Sequence, residues 1–135
     1  MMRIIKLEVG KVAYIKDIDD TDKLSAMQAE VGGLIEPIYP EDGIVILVNE
    51  EGLMNGSKPN RTIKDSNGNI IAVAGGDCFI CGDTGEDFVS IPDDKIEKYM
   101  ALYQYPQLFF RDGQNVIAQH YNPVREVLVD EPELF

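Results

Sequence analysis

Four side chains in the middle of the chain carry groups suited to holding a polar small molecule: Asn49, Glu50, Asn60 and Arg61. Asn offers a donor and an acceptor, Glu accepts, and Arg presents a planar fork that fits phosphate or carboxylate. The set suits recognition of a nucleotide or a similar polar metabolite better than bond breaking. Asn49-Glu50-Glu51-Gly52 directly follows the apolar run Ile44–Val48, and Lys58-Pro59-Asn60-Arg61 returns within one loop. So apolar a run reads as a buried strand, and binding groups concentrate in the loops such strands support. The same residues have a plain structural use. Asn and Gly build turns, Asn side chains satisfy loop backbone, and Glu50 is placed to pair with Arg61.

Other chemistries find little support. The one histidine, His120, has no nucleophile partner in the pattern of a hydrolase triad. No Gly-rich loop joins a strand to a helix, so a phosphate cradle of that kind is not expected. The carboxylate pairs Glu50-Glu51 and Glu86-Asp87 are what chance supplies in a chain with 24 acids. Cys78 and Cys81 lie on a predicted strand, where positions three apart face opposite ways. They are expected to be free thiols, not a redox pair or half of a zinc site. Asp17, Asp19, Asp20 and Asp22 surround Thr21. They could hold a weak calcium ion, but capping of the following helix by Asp20 or Thr21 explains them without one. No activity and no cofactor are expected.

The chain has 135 residues, 12 basic against 24 acidic, and a formal net charge of −12. That is one domain's length, and the charge argues against direct binding to nucleic acid or anionic lipid. No apolar run approaches the roughly 20 residues of a bilayer span. The start, Met1-Met2-Arg3-Ile4-Ile5-Lys6, is too short and charged for a signal peptide, so a cytoplasmic protein is expected.

The elements that must position these groups can be read from periodicity and turn chemistry. Ile4–Val9 and Val12–Ile18 read as a hairpin. A helix over Asp22–Val31 places Leu24, Met27, Gln28 and Val31 inward and ends at Gly32-Gly33. Leu34–Tyr39 is an edge or bulged strand because of Pro37. Thr62-Ile63 and Ile70–Ala74 flank a turn at Asp65–Asn69, and Cys78–Cys81 is a further strand. A second helix starts near Pro92, with Ile96, Tyr99, Met100 and Tyr103 as its apolar stripe. Asn115–Tyr121 and Val124–Val129 read as two strands around Asn122-Pro123, or as an extension that docks on a second subunit. The fold class is α+β: two helices on a mostly antiparallel sheet of about five to seven short strands. Residues 1–105 form the domain, and 106–135 are a C-terminal extension packing on it or on a second subunit.

The ordered series Met27-Gln28, Val31-Gly32-Gly33-Leu34-Ile35-Glu36, Val48-Asn49-Glu50-Glu51-Gly52, Pro59-Asn60-Arg61, Gly76-Asp77, Ile80-Cys81-Gly82 and Gly85-Glu86-Asp87-Phe88 resembles domain-of-unknown-function family 3846. The resemblance spans about Ile5 to Tyr105. It implies an accessory protein of a phage or mobile element in bacterial cytosol, and no catalytic residue. The family's polar signature falls on Asn49, Glu50, Asn60 and Arg61.

Three roles follow as expectations. The first is a non-enzymatic binding protein that sequesters a nucleotide-like ligand to counter host defence. The second is an acidic module that mimics DNA and inhibits a basic host protein, through Asp17, Asp19, Asp20, Asp22, Asp93, Asp94 and Glu97. The third is assembly, a homodimer formed through the C-terminal segment, with Val116, Ile117, Tyr121, Val124, Val127 and Val129 adding strands to a neighbour.

Overall fold

In the computed structural model, which describes residues 1–112 and 115–120, every paired strand is antiparallel. The elements in chain order are β1 (Met2–Leu7), β2 (Tyr14–Ile18), α1 (Lys23–Val31), β3 (Ile35–Glu41), β4 (Ile44–Asn49), β5 (Pro59–Lys64), β6 (Ile70–Gly75), β7 (Cys78–Asp83), β8 (Phe88–Val89), α2 (Asp93–Tyr103), β9 (Gln107–Asp112) and β10 (Asn115–His120). The fold is α+β, with two helices among the described residues. The ten strands among the described residues form one six-stranded sheet, within the five to seven expected, and two further two-stranded hairpins.

The central sheet runs β2-β1-β7-β4-β3, with β8 paired to the end of β7. Both faces are covered, and that explains the unbroken apolar run of β4. Ile44, Ile46 and Val48 alternate onto one face, where they pack with Ile63, Tyr99 and Tyr103. Val45 and Leu47 take the other face, with Met27 and Val31 of α1. The Cys residues of β7 follow the same alternation. Cys78 lies in the first cluster and Cys81 in the second, both free and buried. Truncating a side chain such as Ile46 to Ala would cost about 2–5 kcal/mol.

α1 links β2 at one edge to β3 at the other and covers the second face. Asp22 caps it: Ser25 N–H donates to Asp22 Oδ1 at 3.3 Å, and Ser25 Oγ donates to Oδ2 at 2.9 Å. The cap therefore sits one or two residues later than expected. Asp19 instead accepts from Thr21 in the preceding turn. Gly32 ends the helix at φ 76°, where a side chain would be strained. Of the predicted inner face, Met27 and Val31 are buried. Leu24 is 54% exposed, because a nine-residue helix presents only its last turns to the sheet.

β3 is an edge strand with a register shift between Ile38 and Glu41, as Pro37 and Pro40 require. On the first face α2 lies beside the β5–β6 hairpin, with Tyr99 and Tyr103 stacked at 6.3 Å. At the C-terminal end Asn115–His120 is a strand, as its pattern predicts, and it pairs with Gln107–Asp112, a strand the sequence reading does not assign. The second predicted strand, Val124–Val129, lies outside the described residues, with Tyr121.

Candidate functional site

Asn49 closes the α1 side of the sheet. Its Nδ2 donates to the Val31 carbonyl at 3.1 Å, one of those left over where α1 ends, and its Oδ1 accepts from Glu51 N–H at 2.8 Å. A Cβ on Gly33 would come within 2.7 Å of Asn49 Nδ2. Glu50 is exposed, and among the described residues its carboxylate makes no ion pair. Gly52 is in the motif for packing: a Cβ there would overlap the Gly75 carbonyl.

Asn60 and Arg61 are buried on the opposite side, each only 1% exposed. Asn60 Nδ2 donates to the carbonyls of Leu7 at 2.8 Å and Gly76 at 2.9 Å. The guanidinium of Arg61 spends all five N–H groups on the chain itself. Nε donates to the Tyr103 carbonyl at 3.0 Å. Nη1 donates to the Glu8 carbonyl at 3.2 Å and Asn60 Oδ1 at 2.7 Å. Nη2 donates to the carbonyls of Lys11 at 2.6 Å and Gln104 at 3.5 Å. One cation thus fastens the β1–β2 turn to the C-terminal end of α2, where unpaired carbonyls and the helix dipole favour positive charge.

The four residues singled out from sequence are therefore not brought into one site. Asn49 and Glu50 belong to the α1 side, Asn60 and Arg61 to the α2 side. The expected Glu50–Arg61 pair does not form, because backbone carbonyls reach the buried guanidinium first. Arg61 has no N–H left for a ligand.

Beside Arg61 the surface opens into a cleft of about 340 Å³. Its walls are the β5–β6 hairpin (Thr62, Lys64, Asp65), the last turns of α2 (Lys98, Leu102, Tyr103) and the segment Tyr105–Gln107. Gln107 is tied down on one side only. Its Oε1 accepts from both the backbone N–H and the hydroxyl of Thr62, the latter at 2.9 Å. Its amide nitrogen has no partner among the described residues. Lys64 is exposed and likewise has no ion-pair partner among them. Tyr103 Oη accepts from Lys64 N–H at 3.3 Å. Asp65 is occupied in its own turn, accepting from Asn67 and Asn69 N–H. Sequence reasoning missed this cleft because its residues come from three separated segments. The one available signal was that Lys98 and Leu102 flank the apolar stripe of α2 at i, i+4 spacing.

Lys98 is held by Glu41 of β3 at 2.7 Å, and Lys95 joins the same carboxylate at 2.9 Å. The hydrogen bonds from Lys98 and Lys95 hold the Glu41 carboxyl down to about 2. A second cluster lies on the α1 side. The nearly buried Lys6 and the half-exposed Lys16 both bind Glu30, at 3.2 and 2.9 Å. Burial pushes Glu30 up, but the Lys16 and Lys6 contacts outweigh it, and the net shift is downward. Burial pushes both thiols up to about 12, so neither is a ready nucleophile.

A two-faced antiparallel sheet with a helix on each face defines an α+β domain. The chain belongs to the family described as Domain of unknown function (DUF3846), whose model matches residues 2–104. No curated protein and no solved structure matches it. Among the described residues no helix is long and apolar enough to cross a membrane.

Proposed function

We propose that this chain is a non-enzymatic binding protein whose small polar ligand sits in the cleft between the β5–β6 hairpin, the end of α2 and the start of β9. The carrying observation is the cleft itself. Its volume of about 340 Å³ is that of a small-ligand site, which typically starts near 300 Å³. Its lining mixes Lys64, Lys98 and the Gln107 amide with the apolar and aromatic surfaces of Leu102, Tyr103 and Tyr105. A binding role fits better than catalysis. The one carboxylate in the lining is bound in its own turn, and both thiols are buried in the core. In an accessory protein of a phage or mobile element, such a cleft would sequester a nucleotide-like defence signal; this sense rests on the family resemblance.

Leu102 is 60% exposed on the cleft wall, so Leu102→Trp fills the cleft without disturbing the core. Thermal unfolding against a panel of nucleotides, cyclic oligonucleotides and phosphorylated metabolites tests the reading. A ligand at about a hundred times its dissociation constant raises the midpoint by several degrees, and Leu102→Trp abolishes that shift. A shift that survives Leu102→Trp places the ligand elsewhere.

One observation favours a second reading, the acidic protein-binding module. The start of β1, the end of β2, the end of β7 and the N-termini of both helices share one end of the sheet. Asp17, Asp20, Asp87 and Asp93 are thereby gathered there, from segments far apart in sequence. Arg3, Lys23 and the N-terminal amine neutralise part of this charge. A flat small-molecule panel with salt-sensitive capture of a basic protein would favour this reading over the cleft.

A further inference from the structure

The sign of the charge in the cleft says more about its ligand, given the reading above on which this inference rests. The whole chain carries two acids for every base, 24 against 12. The cleft inverts this ratio: Arg61, Lys64 and Lys98 line it, against Asp65 alone. Counting Glu41, which holds Lys98 from behind, one positive charge remains in excess.

Arg61 is the unusual member. It is buried, and among the described residues no carboxylate pairs with it. Its five acceptors are neutral oxygens, four backbone carbonyls and the Asn60 amide. The C-terminal end of α2 offsets only about half a charge. A buried cation that is hydrogen-bonded but not neutralised projects a positive potential into the adjoining concavity.

We infer that the cleft takes a small organic phosphate. Lys64 and the Gln107 amide nitrogen are the donors for the phosphate oxygens. Arg61 contributes its field and no hydrogen bond. Leu102 and Tyr105, 60% and 43% exposed, are the surfaces against which the organic part lies. The volume suits a mononucleotide-sized compound and not a dinucleotide.

The test titrates the full chain with inorganic phosphate, a 5′-mononucleotide and the matching uncharged nucleoside, each against wild type, Lys64→Ala and Leu102→Trp. The expected result is that the mononucleotide binds at least about tenfold more tightly than the nucleoside. Lys64→Ala weakens it by about tenfold, leaves the ligand-free unfolding midpoint in place, and reduces its dependence on salt. Equal binding of nucleotide and nucleoside, or no binding of either phosphate probe at millimolar concentration, overturns the inference. An uncharged compound that binds wild type but not Leu102→Trp keeps the cleft as the site while overturning the phosphate.

Discussion

At the scale of single residues, the polar motif separates into structural and free groups. Removing Arg61 leaves the Tyr103 and Lys11 carbonyls and the Asn60 amide oxygen without a donor among the described residues, and takes one of two donors from each of the Glu8 and Gln104 carbonyls. Arg61→Met is expected to cost about 3 kcal/mol or more in chemical denaturation. Arg61→Lys recovers little of it, because one ammonium has three donors and no planar fork. Asn60→Ala costs about 2 kcal/mol for the same reason, and Asn49→Ala about 1–2 kcal/mol through the lost cap on α1. Glu50→Ala changes stability by no more than about 0.5 kcal/mol. If Arg61→Met or Asn60→Ala unfolded with wild-type stability, the fastening role given to these residues would be wrong. Sequence showed that Asn49, Asn60 and Arg61 were special but not what they touch. Their partners, Val31, Leu7, Gly76, Tyr103 and Gln104, are carbonyls remote in sequence, and any residue supplies a carbonyl.

At the scale of elements, strands and helices were the most legible part. The apolar run of β4, the Asn67-Gly68 turn between β5 and β6, the Gly32 end of α1 and the α2 stripe each have a local cause, and each is where its signal puts it. Pairing was less legible. β9 pairs with β10, although Gln107–Asp112 carries no signal that marks it as a strand from sequence. Register and neighbour choice depend on contacts that no short window contains. Two ion-pair clusters tie elements together, Glu41 between β3 and α2 and Glu30 between α1 and the β1–β2 hairpin. Both carboxyls titrate lower in the folded chain than in the unfolded one. Their contribution is therefore present above the ordinary carboxylate range and lost as pH falls, down to about 2 for Glu41. Urea midpoints measured from neutral to acidic pH should fall through this window. Glu41→Gln should lower the neutral-pH midpoint and flatten the fall, and an unchanged slope would contradict the assignment.

At the scale of the whole molecule, the fold sorts charge in a way the linear sequence hides. Acids spread along the chain meet at one end of the sheet, while three of the twelve bases meet at the cleft beside the end of α2. Composition predicts an acidic protein and is silent on this division, because it arises from topology: β1, β7 and both helices start or end together. The central claim is that the ligand occupies the cleft and not the Asn49–Asn55 loop where the sequence first directs attention. Backbone amide chemical shifts recorded during titration with a compound that raises the unfolding midpoint test it directly. The shifts should concentrate at Thr62, Lys64, Gly68 and Gln107; shifts confined to Asn49–Asn55 would contradict the claim.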